Sequence, residues 1–141
     1  MTFAKTGAVL FILWGVIHIV GGSLILTAVT GNPDAGYAFY DEAATGYSTL
    51  AGGVLGYLAF SFAWIGAVVA WVGLAYNWRN STRGLALNLA LVGLTDLGLV
   101  VFLVLPGFLS WTEASPGLVL FAGAAICSGI GCQTNLRALP D

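Results

Sequence analysis

Charge is what this chain has least of. Its four Lys and Arg and six Asp and Glu residues make up 7% of 141 positions, where a soluble domain usually carries about 25%. So few charges cannot cover a water-facing surface, and the solvent that suits the chain is a bilayer. The basic residues are scattered and the net charge is −2, which excludes the basic patch that nucleic-acid binding needs. Histidine is scarcer still: His18 is the only one. The two cysteines, Cys127 and Cys132, lie five positions apart. At ~100° per helical residue they point about 140° away from each other, so they read as separate membrane-buried thiols. One histidine and two such thiols exclude a closed zinc site. No GxGxxG or Walker pattern occurs, so no nucleotide loop is present. Neither Ser61 nor Ser128 sits in a nucleophile elbow, which leaves a Ser-His-Asp hydrolase without support. No catalytic residue is read, and the balance of residues is against an enzyme.

What the chain has instead is apolar length. Hydrophobic residues make up 59% of it and the mean hydropathy is +0.95. Four apolar stretches stand out, at about 7–29, 47–76, 84–105 and 116–136. Each reaches the roughly 20 residues that cross a hydrocarbon core. Inside lipid the backbone must satisfy its own hydrogen bonds, so all four should be helices. The ten-residue alternating strands of a β-barrel are absent from the sequence. The first run is too long for a signal-peptide core, and no A-x-A-like site follows it. The expected fold is all-α, an integral membrane four-helix bundle forming one domain over residues 1–141. Ser115 is expected to cap the fourth helix, with Pro116 in its first turn.

The few charges are segregated. Lys5 precedes the first run, Arg79 and Arg83 lie between the second and third, and Arg137 follows the fourth. Asp34, Asp41, Glu42 and Glu113 fall in the other two connections. By the positive-inside rule both termini are cytoplasmic, with Asn80 inside and Ala43 outside. Tyr76 and Trp78 suit an inner aromatic belt, and Tyr37, Tyr40, Tyr47 and Trp111 an outer one.

One charge does not lie at an end. Asp96, in "LVGLTDLGLVVF", stands in mid-helix, where aspartate costs about 2.5–3.5 kcal/mol on the insertion scale. His18, in "FILWGVIHIVGG", lies thirteen residues past Lys5, and Asp96 lies thirteen past Arg83. Both helices leave the same side, so the two groups are expected at one depth near the midplane. On the first helix Trp14, Gly15, His18, Gly21, Gly22 and Ile25 form one stripe. On the third, Asp96 shares a face with Leu89, Val92, Gly93 and Val100, with Asn88 offset. The second helix offers Tyr57, Ser61 and Trp64, the fourth Cys127 and Ser128. A ligand or proton site is therefore expected around His18, Asp96, Trp14, Trp64, Ser61 and Asn88. A purely structural His18–Asp96 hydrogen bond is the bland alternative, but interhelical bonds average only about 0.6 kcal/mol, a weak return for the insertion cost.

Small residues mark the packing faces. Gly52-x-x-x-Gly56 and the series Ala59, Ala63, Gly66, Ala70 and Gly73 predict close helix contact along the second helix, with Gly15 and Gly22 doing the same on the first. Three functional classes remain open. One is a small-ligand- or proton-handling membrane protein, alone or within a larger complex. The second is a redox-associated subunit that approaches a quinone or holds haem b through His18, two protomers supplying two axial histidines. The third is an accessory protein docking a homo-oligomer or a partner through the glycine-rich second helix. An absorption spectrum separates the second from the others.

At "WGVIHIVGG" the chain is similar to small four-helix bacterial membrane proteins of uncharacterised function that carry a glycine-flanked histidine in the first helix. In layout it also resembles the DoxX-like group. The resemblance covers the four-span architecture and that one stretch. It implies the cytoplasmic (inner) membrane of a bacterium and carries over no catalytic residue.

Overall fold

The computed structural model describes residues 2–31 and 49–136. Four long helices and their connecting turns account for these residues, and no strand occurs among them. Helix α1 spans Phe3–Thr30 and α2 spans Thr49–Ala75. A 3₁₀ turn at Asn77–Arg79 leads to α3, Thr82–Leu99, which runs on into a π turn at Val100–Val104. Helix α4 spans Trp111–Leu136. Asp34, Tyr37, Tyr40, Asp41, Glu42, Ala43, Tyr47 and Arg137 lie outside the described residues.

All four helices are long and apolar enough to cross a membrane. Their outward faces agree with that. Leu94 and Tyr57 are 70% exposed and Phe102 72%. A helix in water keeps such residues in one inward stripe; these helices are apolar on both faces, as lipid contact requires. The fold is all-α and fits a multi-pass membrane protein.

The helix ends follow local chemistry. Helix α3 starts at Thr82, two residues earlier than expected, because the Ser81 hydroxyl accepts from the Gly84 backbone N–H at 3.3 Å. The expected start of α4 at Pro116 is corrected to Trp111. Here "SWTE" is a capping box: Glu113 N–H donates to Ser110 Oγ at 3.2 Å, and Ser110 N–H donates to Glu113 Oε2 at 2.8 Å. Pro116 then lies inside the helix. It has no N–H for the Thr112 carbonyl, and the Ser115 hydroxyl donates to that carbonyl instead, at 3.0 Å. Ser115 thus repairs the ladder and does not cap it.

The chain divides into two compact units, Met1–Gly15 with Val68–Asp141, and Val16–Ala67. In the first, α1 and α4 run antiparallel at very short range. A Cβ on Gly7 would lie 2.7 Å from Ser128 N, and one on Gly131 would lie 2.8 Å from Ala4 N. Glycine at both positions lets the backbones approach this closely. Phe11, Trp14, Val69 and Val92 fill the core. One end of this unit is stitched together around Asn80, whose φ of 59° is the left-handed conformation that asparagine tolerates. Asn80 Nδ2 donates to Gly131 O at 2.8 Å, and Cys132 Sγ donates to Asn80 Oδ1 at 3.4 Å. Lys5 Nζ sits over the Trp78 ring at 5.5 Å. The start of α1, the α2–α3 turn and the last turns of α4 therefore meet at one end, which also carries Arg79 and Arg83. Both cysteines are free thiols.

In the second unit the close approach is at Gly22. A Cβ there would lie 2.5 Å from Ala59 O and 2.8 Å from Ala63 N. At Gly52 and Gly56, the expected seam, an added Cβ would meet Val29 and Leu26 side chains only at 3.6–3.9 Å, which is ordinary contact. Gly15 and Gly66 are buried.

Candidate functional site

The polar core of the first unit is built on one stripe of α3. Gly84, Asn88, Val92 and Asp96 are buried at four-residue intervals. Four-residue steps drift about 40° around a helix of 3.6 residues per turn. The wider π turn, closed by Leu105 N–H donating to Val100 O at 2.9 Å, returns Val104 to the packed face. This stripe differs from the expected one. Leu89 is exposed, and Asn88, expected to be offset, is fully buried in line with Asp96. A Cβ on Gly93 would lie 3.3 Å from the Phe121 ring, so glycine there leaves room for the ring.

On α1, Ala4, Ala8, Phe11 and Trp14 recur at helical spacing and are all buried. That stripe delivers the Trp14 indole to Asp96: Nε1 donates to Oδ1 at 3.3 Å, across 82 residues of sequence. The bond is long for N–H···O. Asp96 is 4% exposed, and its Oδ2 has no hydrogen-bond partner among the described residues. Asn88 Nδ2 donates to Val69 O at 3.4 Å, while Asn88 Oδ1 has no partner among them. Ser128 Oγ and both polar atoms of Asn77 are buried in the same state.

The structure thus brings Trp14 and Asp96 together, with Asn88 on the same stripe. Asp96 meets α1 one turn before His18. His18 belongs to the second unit, where its ring meets Phe62 edge to face at 6.2 Å.

The second-helix members expected at the site belong to the second unit. Trp64 is 49% exposed and Tyr57 lies on the same outward side. The Ser61 hydroxyl donates to the Tyr57 carbonyl of its own helix at 2.8 Å. The reason lies in residue size: Ala59 and Gly66 form the packed face of α2, and Trp64 lies 140–200° from them at ~100° per residue. Small residues face the neighbouring helix and large ones face lipid. Asn77 and Asn80 sit in a connection that reads, in sequence, as a plain basic turn. Among the described residues no three His, Cys, Asp or Glu side chains gather as a metal site would require. No protein-family model, no curated protein and no solved structure matches this chain.

Proposed function

We propose that this chain is a small proton-handling membrane protein in which Asp96 is the proton-binding group and Trp14 holds its carboxyl in place. One observation carries the reading: a carboxyl buried in the core has one oxygen on an indole N–H and the other without a partner among the described residues. Aspartate at a helix centre costs about 2.5–3.5 kcal/mol, and one long interhelical hydrogen bond returns about 0.6. A group kept at that expense is by default a functional one. The surroundings favour a proton over an organic ligand. Phe11, Trp14, Asn88 and Val92 have no exposed surface, so the stripe offers no opening to a multi-atom guest.

The test is proton uptake by vesicles containing the purified chain, driven by a valinomycin-induced potassium diffusion potential and read with an entrapped pH dye. Asp96→Asn keeps the shape and the indole bond and removes the ionisable group. It should abolish uptake above the empty-vesicle leak. Full uptake by Asp96→Asn would end the proposal.

The same reading puts the basic end, with both termini, on the cytoplasmic side of a bacterial inner membrane, as the segregation of Lys5, Arg79 and Arg83 favours. Thr2 and Thr82 are exposed at that end, and Thr112 is exposed at the start of α4. Single cysteines at 2 and 82, in a chain with Cys127 and Cys132 replaced by serine, should react with an impermeant maleimide only after cells are opened. One at 112 should react in intact cells. The reverse pattern would invert the orientation.

A further inference from the structure

Of the five buried side-chain atoms without a partner among the described residues, four follow one line, Ser128 Oγ on α4 being the exception. Asn77 packs against Gly84, at the first turn of α3: a Cβ on Gly84 would collide with the Asn77 side chain and lie 3.1 Å from its backbone N. Asn88 is one turn further along the buried stripe, and Asp96 is two turns beyond that. The line covers ~18 Å at ~1.5 Å per residue, beginning at the end that carries Lys5, Arg79 and Arg83. Asn77 is 3% exposed, Asn88 0% and Asp96 4%, and each has at least one side-chain atom without a hydrogen-bond partner among the described residues. Leaving such an atom unpaired costs about 1–3 kcal/mol. Alanine or leucine would serve packing alone without that cost. In the other direction the stripe carries nothing polar; after Asp96 it continues through the apolar π turn to buried Val104.

We infer that these amides line a one-sided hydrated path, by which protons reach Asp96 from the end holding the α2–α3 turn and from no other. The inference rests on the proton reading of Asp96. Buried water is held where two to four polar groups converge, and paired amides offer both donors and acceptors to it. Asn77 and Asn88 would hold the first waters. Val92, fully buried between Asn88 and Asp96, is the one stripe position in the line where water has no polar neighbour. It forms an apolar gap that water crosses only transiently. The asymmetry is built into α3: asparagine on the entry side, valine at the gap, valines beyond the carboxyl.

The test uses Asn88→Cys in the chain with Cys127 and Cys132 replaced by serine, reconstituted with known orientation. Silver ion is applied on one side, and thiols left free are counted with maleimide after unfolding. Protection of the thiol introduced at position 88 from the side of the α2–α3 turn alone is the expected result. Protection from neither side, or from the opposite side, overturns the path. The unmodified chain gives a second measurement in case this variant fails to fold. In water-edited solid-state NMR, the Asn77 and Asn88 side-chain amides should receive water magnetisation well before the Val92 methyls; equal build-up overturns the inference. The two readings fail separately. One-sided protection with full proton uptake by Asp96→Asn refutes the proton role and leaves the hydrated path standing. Absent protection with uptake abolished by Asp96→Asn refutes the path alone.

Discussion

Gly22→Leu should severely destabilise the protein in detergent, while Gly21→Ala, one residue away, should leave its melting temperature unchanged or raise it. The contrast follows from what a side chain would meet. At Gly22 a Cβ lands 2.5 Å from the Ala59 carbonyl and 2.8 Å from the Ala63 backbone nitrogen. These are backbone atoms of a helix, which cannot rotate aside as a side chain can, so α1 and α2 must separate to admit leucine. Overpacking costs typically about 1–3 kcal/mol, and backbone obstruction puts this case at or above the upper end. At Gly21 nothing lies within 4 Å of the added Cβ, and alanine removes the excess freedom of an unfolded glycine, worth about 0.4–1 kcal/mol. Gly56→Ala should also be tolerated, because its neighbours are the flexible ends of Val29 and Leu26 at 3.6 and 3.9 Å. Equal losses at Gly21 and Gly22 would mean that the two helices do not touch at this seam.

The glycines also show how far the residue pattern alone reaches. Composition is enough for four apolar helices, because lipid leaves the backbone no alternative. Charge segregation is enough to gather Lys5, Arg79 and Arg83 at one end. Rotation of the helices is harder. In a water-soluble protein, polarity marks the outward face; here both faces are apolar, and only residue size distinguishes them. Read by size, α2 turns Ala59 and Gly66 inward and Trp64 outward. Read by polarity, Trp64 belongs inside, yet it is 49% exposed. The seam on α1 is legible at Gly22, yet the Gly52-x-x-x-Gly56 spacing makes no close contact among the described residues, since a spacing motif says nothing about which partner approaches it. Asp96 is conspicuous as the only mid-helix charge. Its partner is not, because an indole that donates a hydrogen bond looks in sequence like one more large apolar residue.

That indole sets up the sharpest test of the site: Trp14→Phe should cost less stability in the Asp96→Leu background than in the original chain, and both Asp96→Leu proteins should be inactive in proton uptake. Trp14→Phe alone keeps an aromatic ring in the core but removes the Nε1–H donor, leaving Asp96 without its indole bond. An unsatisfied buried group costs about 1–3 kcal/mol, so this variant should melt at lower temperature. Asp96→Leu alone takes the carboxylate acceptor from the indole N–H, at up to a similar cost, but it also recovers the roughly 2.5–3.5 kcal/mol spent on holding aspartate inside the membrane. Its net effect should lie near zero or on the stabilising side. The double variant removes donor and acceptor together. It should therefore be more stable than the sum of the two single effects predicts, with a coupling of about 0.6–1.7 kcal/mol, the range of interhelical hydrogen bonds in membranes. The 3.3 Å length of the bond points to the lower part of that range. Denaturant titration of all four proteins in one detergent measures the cycle. Strict additivity would show that the indole and the carboxyl do not meet. An Asp96→Leu variant markedly less stable than the original would mean that Asp96 contributes to the fold itself, and the case for a costly carboxyl retained for its chemistry would fall. Gained stability with lost uptake is the signature of a group kept for what it does at the expense of how firmly the protein folds.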